Sequence, residues 1–96
     1  AQKSEKVIDI EQQISFLASQ INLLDELMSI NAKQVKLANQ KIAEEAIKYK
    51  EARGQKSLLI SAQKSANQAL ISSLQTATNY QKTIIDYRAT IDQLLD

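Results

Sequence analysis

A chain of 96 residues and 10.7 kDa makes one domain at most. It has no Cys and no His, so disulfides and thiolate or imidazole metal sites are excluded; no apolar run reaches the roughly 20 residues that span a bilayer as a helix. Net charge is +1, from 12 basic and 11 acidic residues interspersed along the chain, with no basic block to argue for nucleic acid and no acidic tail.

Apolar residues make up 44%, with three Tyr and one Phe as the only aromatics, and no Pro. The rest is rich in Gln, Lys, Ser, Ala and Asn, a mixture that favours helix over strand. The chain begins "AQKSEKV", with neither an initiator Met nor a signal peptide, so it is expected to be processed or excised from a longer protein.

The first element announces itself by a seven-residue period. Val7, Ile14, Ile21, Met28, Val35, Ile42 and Tyr49 occupy one position of the repeat, a. Ile10, Leu17, Leu24, Asn31, Ala38, Glu45 and Ala52 occupy d, three residues on. Seven such heptads predict one coiled-coil helix over about 3–53, roughly 75 Å long at 1.5 Å per residue. A second apolar line, Phe16, Leu23, Ile30 and Leu37, also recurs every seven residues, at position c. It lies well away from the a/d stripe and predicts an outer seam, with Leu27 and Ile47 on the same side.

The breaker is "RGQKS", within about 53–57. Gly54 is the only glycine and is expected in a left-handed conformation that ends the first helix. Ser57 is expected to cap the next helix through its hydroxyl. A loop this short makes the arms antiparallel.

The second helix is expected over about 57–95 in a new frame, with Gln63, Leu70, Ala77, Ile84 and Ile91 at a. Leu59, Ala66, Ser73, Tyr80, Tyr87 and Leu94 stand at d. Folding back about this turn places Ala52 against Leu59, Ile42 against Leu70, Val35 against Ala77 and Met28 against Ile84. Below them Leu24 meets Tyr87, Ile21 meets Ile91 and Leu17 meets Leu94, and Asn31 faces Tyr80. Tyr49, Leu24, Leu59, Ala62, Tyr80 and Tyr87 are thus expected in the seam between the arms. Val7, Ile10 and Ile14 are left without a partner from this chain. A line of small residues, Ala62, Ala69, Thr76, Thr83 and Thr90, gives the second arm a face that another backbone can approach. Two apolar faces per arm suit either a four-helix bundle or a closed tube of helices.

Nothing in the sequence assembles a catalytic constellation, and no enzyme activity, cofactor or metal is expected. Asp9 and Glu11, Asp25 and Glu26, and Glu44 and Glu45 sit at exposed or flanking helix positions and read as a solvated face. One Gly cannot form a phosphate loop. Tyr80 and Tyr87 read as core residues with a polar tip rather than as platforms for bases, and the dispersed Lys and Arg match no nucleic-acid groove.

The stretch "YKEARGQKSLLISAQKS" resembles the tip of the second periplasmic hairpin in TolC-like outer-membrane efflux proteins. Tyr49 is followed thirteen residues later by Ala62 and Gln63, the spacing of that family, and Tyr80 stands in "ATNYQKTIIDYRATI" where the family often has Tyr. The segment "KLANQKIAEEAIKYKEA" is similar to the family's approach to the tip, so the resemblance covers roughly residues 33–91. Ala52 departs from the pattern where the family usually has Gly, with Gly54 two places later. Ser61 stands where Asp is common, and Asp92 where a Gly often ends the helix.

The resemblance implies a passive conduit for drugs or exported proteins across the periplasm of a Gram-negative-type envelope. Three protomers, each giving two hairpins, would close a twelve-helix tube, with neighbouring hairpins of a homotrimer joined along the outer seam. An inner-membrane pump would supply the energy. The tip, Arg53, Gly54, Gln55, Lys56 and Leu58, would dock onto a periplasmic adaptor protein. Two alternatives stand beside this reading. One is the hairpin of such an adaptor, whose tips carry Arg, Leu and Ser at a spacing that Arg53, Leu58 and Ser61 loosely match. The other is an antiparallel coiled coil that serves as a spacer or scaffold.

Overall fold

The computed structural model describes residues 4–95. Two α-helices fill it: α1, Glu5–Lys50, and α2, Lys56–Leu95. They run antiparallel as one hairpin measuring 77 × 15 × 15 Å, and the described residues contain no strand. The fold is therefore the expected all-α hairpin. At 1.5 Å per residue the 46 residues of α1 account for about 69 Å of its length.

α1 starts at Ser4, whose Oγ accepts a hydrogen bond from the Val7 N–H at 3.2 Å. This satisfies one of the orphan donors of the first turn. Glu5 at the start and Lys48 and Lys50 at the end complement the helix dipole.

The turn differs from the expected one in three ways. α1 stops at Lys50, three residues early, and Ala52, with φ 58°, takes the left-handed conformation. The Arg53 N–H donates to the Lys48 carbonyl at 2.8 Å and the Ala52 N–H to the Tyr49 carbonyl at 3.0 Å, which together form a Schellman cap. Gly54 has no positive φ. It is needed for a close approach instead: its N–H donates to the Lys48 carbonyl at 3.0 Å, and a Cβ there would stand 2.9 Å from the Lys48 Cβ. Ser57 does not cap α2, because it is already the helix's second residue. The carbonyl of Gln55 accepts from the Leu58 and Leu59 N–H groups at 3.1 and 3.3 Å and opens the helix.

The seam on α1 follows the a/d repeat closely. Val7, Ile14, Ile21, Met28, Val35 and Ile42 are half-buried at a; Ile10, Asn31 and Glu45 are buried and Leu17, Leu24 and Ala38 half-buried at d. Tyr49 and Ala52, next to the turn, are exposed.

On α2 the d line was placed correctly from Leu59 to Tyr87, but its companion was not. Ala62, Thr76 and Thr90 are buried and Ala69 and Thr83 half-buried, so the line of small residues faces α1 rather than a third helix. Leu70 and Gln63, expected in the seam, are exposed; Ala77, Ile84 and Ile91 are half-buried at its margin. Small side chains let the helix backbones approach closely, and close approach is what draws this line inward. The threonine hydroxyls are satisfied within the helix: Thr76, Thr83 and Thr90 donate to the carbonyls of Ser72, Asn79 and Asp86 at 3.0, 2.8 and 2.8 Å.

The register is also shifted. Asn31 does not face Tyr80; its Nδ2 donates to Thr76 Oγ1 at 2.7 Å, one helical turn nearer the loop. The helices end at Lys50 and Lys56, so the midpoint of the turn lies about two to three residues earlier than the sequence pattern placed it. The same shift brings the end of α2 further down α1. Ile10 is consequently only 4% exposed, and Val7 and Ile14 are half-buried rather than unpartnered.

These assignments separate two small substitutions at the turn. Ala52→Gly should raise stability by about 0.5–1 kcal/mol, because glycine takes the left-handed conformation without a Cβ penalty. Gly54→Ala should lower it, because the new Cβ must displace the Lys48 side chain. Urea denaturation of both variants checks this; a loss for Ala52→Gly together with a gain for Gly54→Ala would mean that the turn is built differently.

Candidate functional site

The outer stripe of α1 is open to solvent along its length. Phe16, Leu23, Ile30 and Leu37 are 63%, 58%, 50% and 63% exposed. Adjacent residues Leu24 and Leu23 thus divide cleanly, with Leu24 turned to α2 and Leu23 turned out. Grooves run beside the stripe at both ends. Near the open end a groove of about 500 Å³ is lined by Asp9, Gln12, Gln13, Phe16, Leu17 and Asp86. Near the turn a second groove of about 460 Å³ lies between Leu37 and Lys41 on one side and Leu58, Ser61 and Ser65 on the other. On α2 the residues Ile71, Leu74 and Ile85 are exposed on an outward face of their own.

At the tip, Arg53, Gln55, Lys56 and Leu58 are exposed and Gly54 is half-buried. The Arg53 guanidinium is held by the Glu51 carboxylate, so part of its donor capacity is already engaged. Leu58 is 51% exposed and Leu59 half-buried; Leu59 alone turns toward α1.

Glu45 is the residue that sequence reasoning misjudged most. Read as part of a solvated face, it is instead 4% exposed in the d position. Lys41 Nζ lies 2.8 Å from its Oε1 and Lys48 Nζ 3.7 Å. The hydrogen bond from Lys41, helped by the charges of Lys41 and Lys48, holds the Glu45 carboxyl below the usual carboxylate range against the opposing effect of desolvation. The hydrogen bond to Glu45 and its charge in turn raise Lys41. A two-helix seam is one layer deep, so water still screens these charges from the side. The signal available in the sequence was the pairing of Glu45 with Lys at i−4 and i+3.

Folding also sorts the charges, which look interspersed along the chain. The half of the hairpin nearer the turn, residues 30–77, carries Lys33, Lys36, Lys41, Lys48, Lys50, Arg53, Lys56 and Lys64 against Glu44, Glu45 and Glu51, a net of +5. The other half, residues 5–29 and 78–95, carries Lys6, Lys82 and Arg88 against Glu5, Asp9, Glu11, Asp25, Glu26, Asp86 and Asp92, a net of −4. Among the described residues no group of three or more acidic side chains is arranged to hold a metal ion, and no helix is long and apolar enough to cross a membrane. Comparison with protein-family models, curated proteins and solved structures finds no match.

Two expectations follow. In monomeric protein, Leu24→Asp should cost about 2 kcal/mol or more, because it places a charge in the seam, while Leu23→Asp should stay within about 0.5 kcal/mol. Equal shifts in thermal midpoint would overturn the assignment of the two faces.

The lowered Glu45 contributes stability that is present above the unfolded carboxylate pKa and lost as pH falls through the folded one. The raised Lys41 contributes stability below its unfolded pKa that is lost as pH rises through the folded value. Urea midpoints taken between neutral and acidic pH should therefore fall more for the parent chain than for Glu45→Gln. Parallel acid profiles would show that Glu45 contributes nothing.

Proposed function

We propose that this hairpin is a wall element of the periplasmic tube of a TolC-like outer-membrane efflux channel. The observation that carries the reading is Ala52. It adopts φ 58° at the position where the family pattern has Gly, the residue for which that conformation carries no penalty. An L-residue in the left-handed region costs roughly 1–2 kcal/mol, so the bend is held there by the cap and not by local preference. Burial of Ala62 at 6% exposure, thirteen residues after Tyr49, supports the same alignment, because the family spacing then sets a small residue of the returning arm against the first arm.

In this reading the seam of α1 and α2 forms one joint of the tube and the exposed α1 stripe forms the joint to a neighbouring hairpin of the homotrimer. The tube is a passive conduit in the periplasm of a Gram-negative-type envelope, and an inner-membrane pump supplies the energy. The tip meets a periplasmic adaptor through Arg53, Gln55, Lys56 and Leu58, with Gly54 keeping the turn compact beneath them. Arg53 offers the adaptor the donors that Glu51 leaves free.

The test is a full-length parent protein carrying Arg53→Glu and Lys56→Glu. Charge reversal at exposed positions away from a binding surface changes stability by only about ±0.5 kcal/mol. Protein level and trimer assembly should survive while adaptor crosslinking and efflux fall. Normal efflux with normal crosslinking would leave the tip as a plain turn. A parent chain without amphipathic strands and a second such hairpin would end the channel reading altogether.

A further inference from the structure

We infer that in the free chain the exposed α1 stripe is covered by a second copy of the chain, packed antiparallel with its two-fold axis beside Ile30. The inference rests on where the charges stand relative to the stripe. Ile30 is the third of the four residues in the line from Phe16 to Leu37 and lies about half-way along the hairpin. Glu26 and Lys33 flank Ile30 one turn to either side, on a shared face of the helix, and both are exposed. Among the described residues neither has an ion-pair partner in its own chain.

An antiparallel copy centred at Ile30 brings Ile30 beside its own symmetry mate and Leu23 beside Leu37 of the second copy. The same placement sets Glu26 beside Lys33 of the second copy, and two-fold symmetry forms that pair twice. It also lays the turn half of each hairpin, at net +5, over the open half of the other, at net −4. A parallel copy would bring like halves abreast. A parallel copy in register would match all four stripe residues and the antiparallel copy three of them, with Phe16 opposite Glu44, so it is charge that favours the antiparallel arrangement. The result is a four-helix assembly with the two α1 helices inside and the two α2 helices outside.

This pairing is a property of the 96-residue chain and does not depend on the channel reading. In a tube the same stripe would be taken by a different hairpin, so a chain paired in this way cannot also serve as a wall element.

Sedimentation equilibrium tests it. The unsubstituted 96-residue chain should approach a mass of about 21 kDa, twice its own 10.7 kDa, at concentrations up to about 0.1 mM. Glu26→Lys should weaken association roughly ten-fold through two reversed pairs, and Lys33→Glu should do the same. The double variant, in which both charges are exchanged, should recover it. Mixed oxidation of an L23C chain with an L37C chain gives the orientation: the mixed disulfide should exceed either homodisulfide. A monomer throughout this range, single and double charge variants that associate alike, or a predominance of L23C homodisulfide would each overturn the proposal. Circular dichroism that stays helical in every variant keeps these outcomes separate from unfolding.

Discussion

The hydrogen bond from Asn31 to Thr76 is the contact on which the rest of the hairpin depends. A seam of aliphatic and small side chains tolerates sliding, because each layer resembles the next. Asn31 and Thr76 break that equivalence at mid-height. A slip of one turn would separate the amide from the hydroxyl and leave the Asn31 amide buried without its partner, at about 1–3 kcal/mol, while Thr76 keeps its bond to the Ser72 carbonyl. The Thr76 hydroxyl serves both helices at once, since it donates to the Ser72 carbonyl and accepts from Asn31. Register fixed here determines that Ile10 is covered at the far end and that Glu45 falls inside the seam near the turn.

The first arm was legible because its seam residues are large and regular: the heptads from Val7 to Ile42 map onto the buried face almost residue by residue. The second arm was half legible. Leu70, Ile84 and Ile91 attract an assignment by hydropathy, but the inward line is Ala62, Ala69, Thr76, Thr83 and Thr90. Hydropathy measures what a side chain gains by leaving water. It does not measure what two backbones gain by coming close, and that second quantity chose the face. The turn was located but its parts were exchanged. Glycine at 54 suggested a left-handed residue there, whereas Ala52 carries the left-handed φ and Gly54 provides clearance. Once α1 ended three residues early, every facing pair moved.

Of the candidate surfaces, the outer stripe of α1 was fully legible, since its four members are exposed as the period required. The place of Arg53, Gln55, Lys56 and Leu58 at an exposed turn was legible as well, but not the ion pair of Arg53 with Glu51, which depends on how the chain turns after Lys50. Glu45 was missed because position d is read for apolar residues, and a carboxylate flanked by two lysines on the same helix can enter it with its counter-charges attached. The charge separation was invisible along the chain, since the basic residues lie in its middle third and the acidic residues toward both ends. Folding at the centre converts that symmetric order into an asymmetric object.

That object is an electric dipole. The two helix macrodipoles run in opposite directions and largely cancel, so the moment comes from side chains alone and points along the long axis of the rod. A charged body that approaches within a Debye length, about 8 Å at physiological ionic strength, therefore exerts a torque on the hairpin before any surfaces meet. An acidic body turns the bend toward itself and a basic one turns it away. Pre-alignment of this kind shortens the rotational search of a 77 Å rod, and it fades as salt rises even where the final contact is apolar.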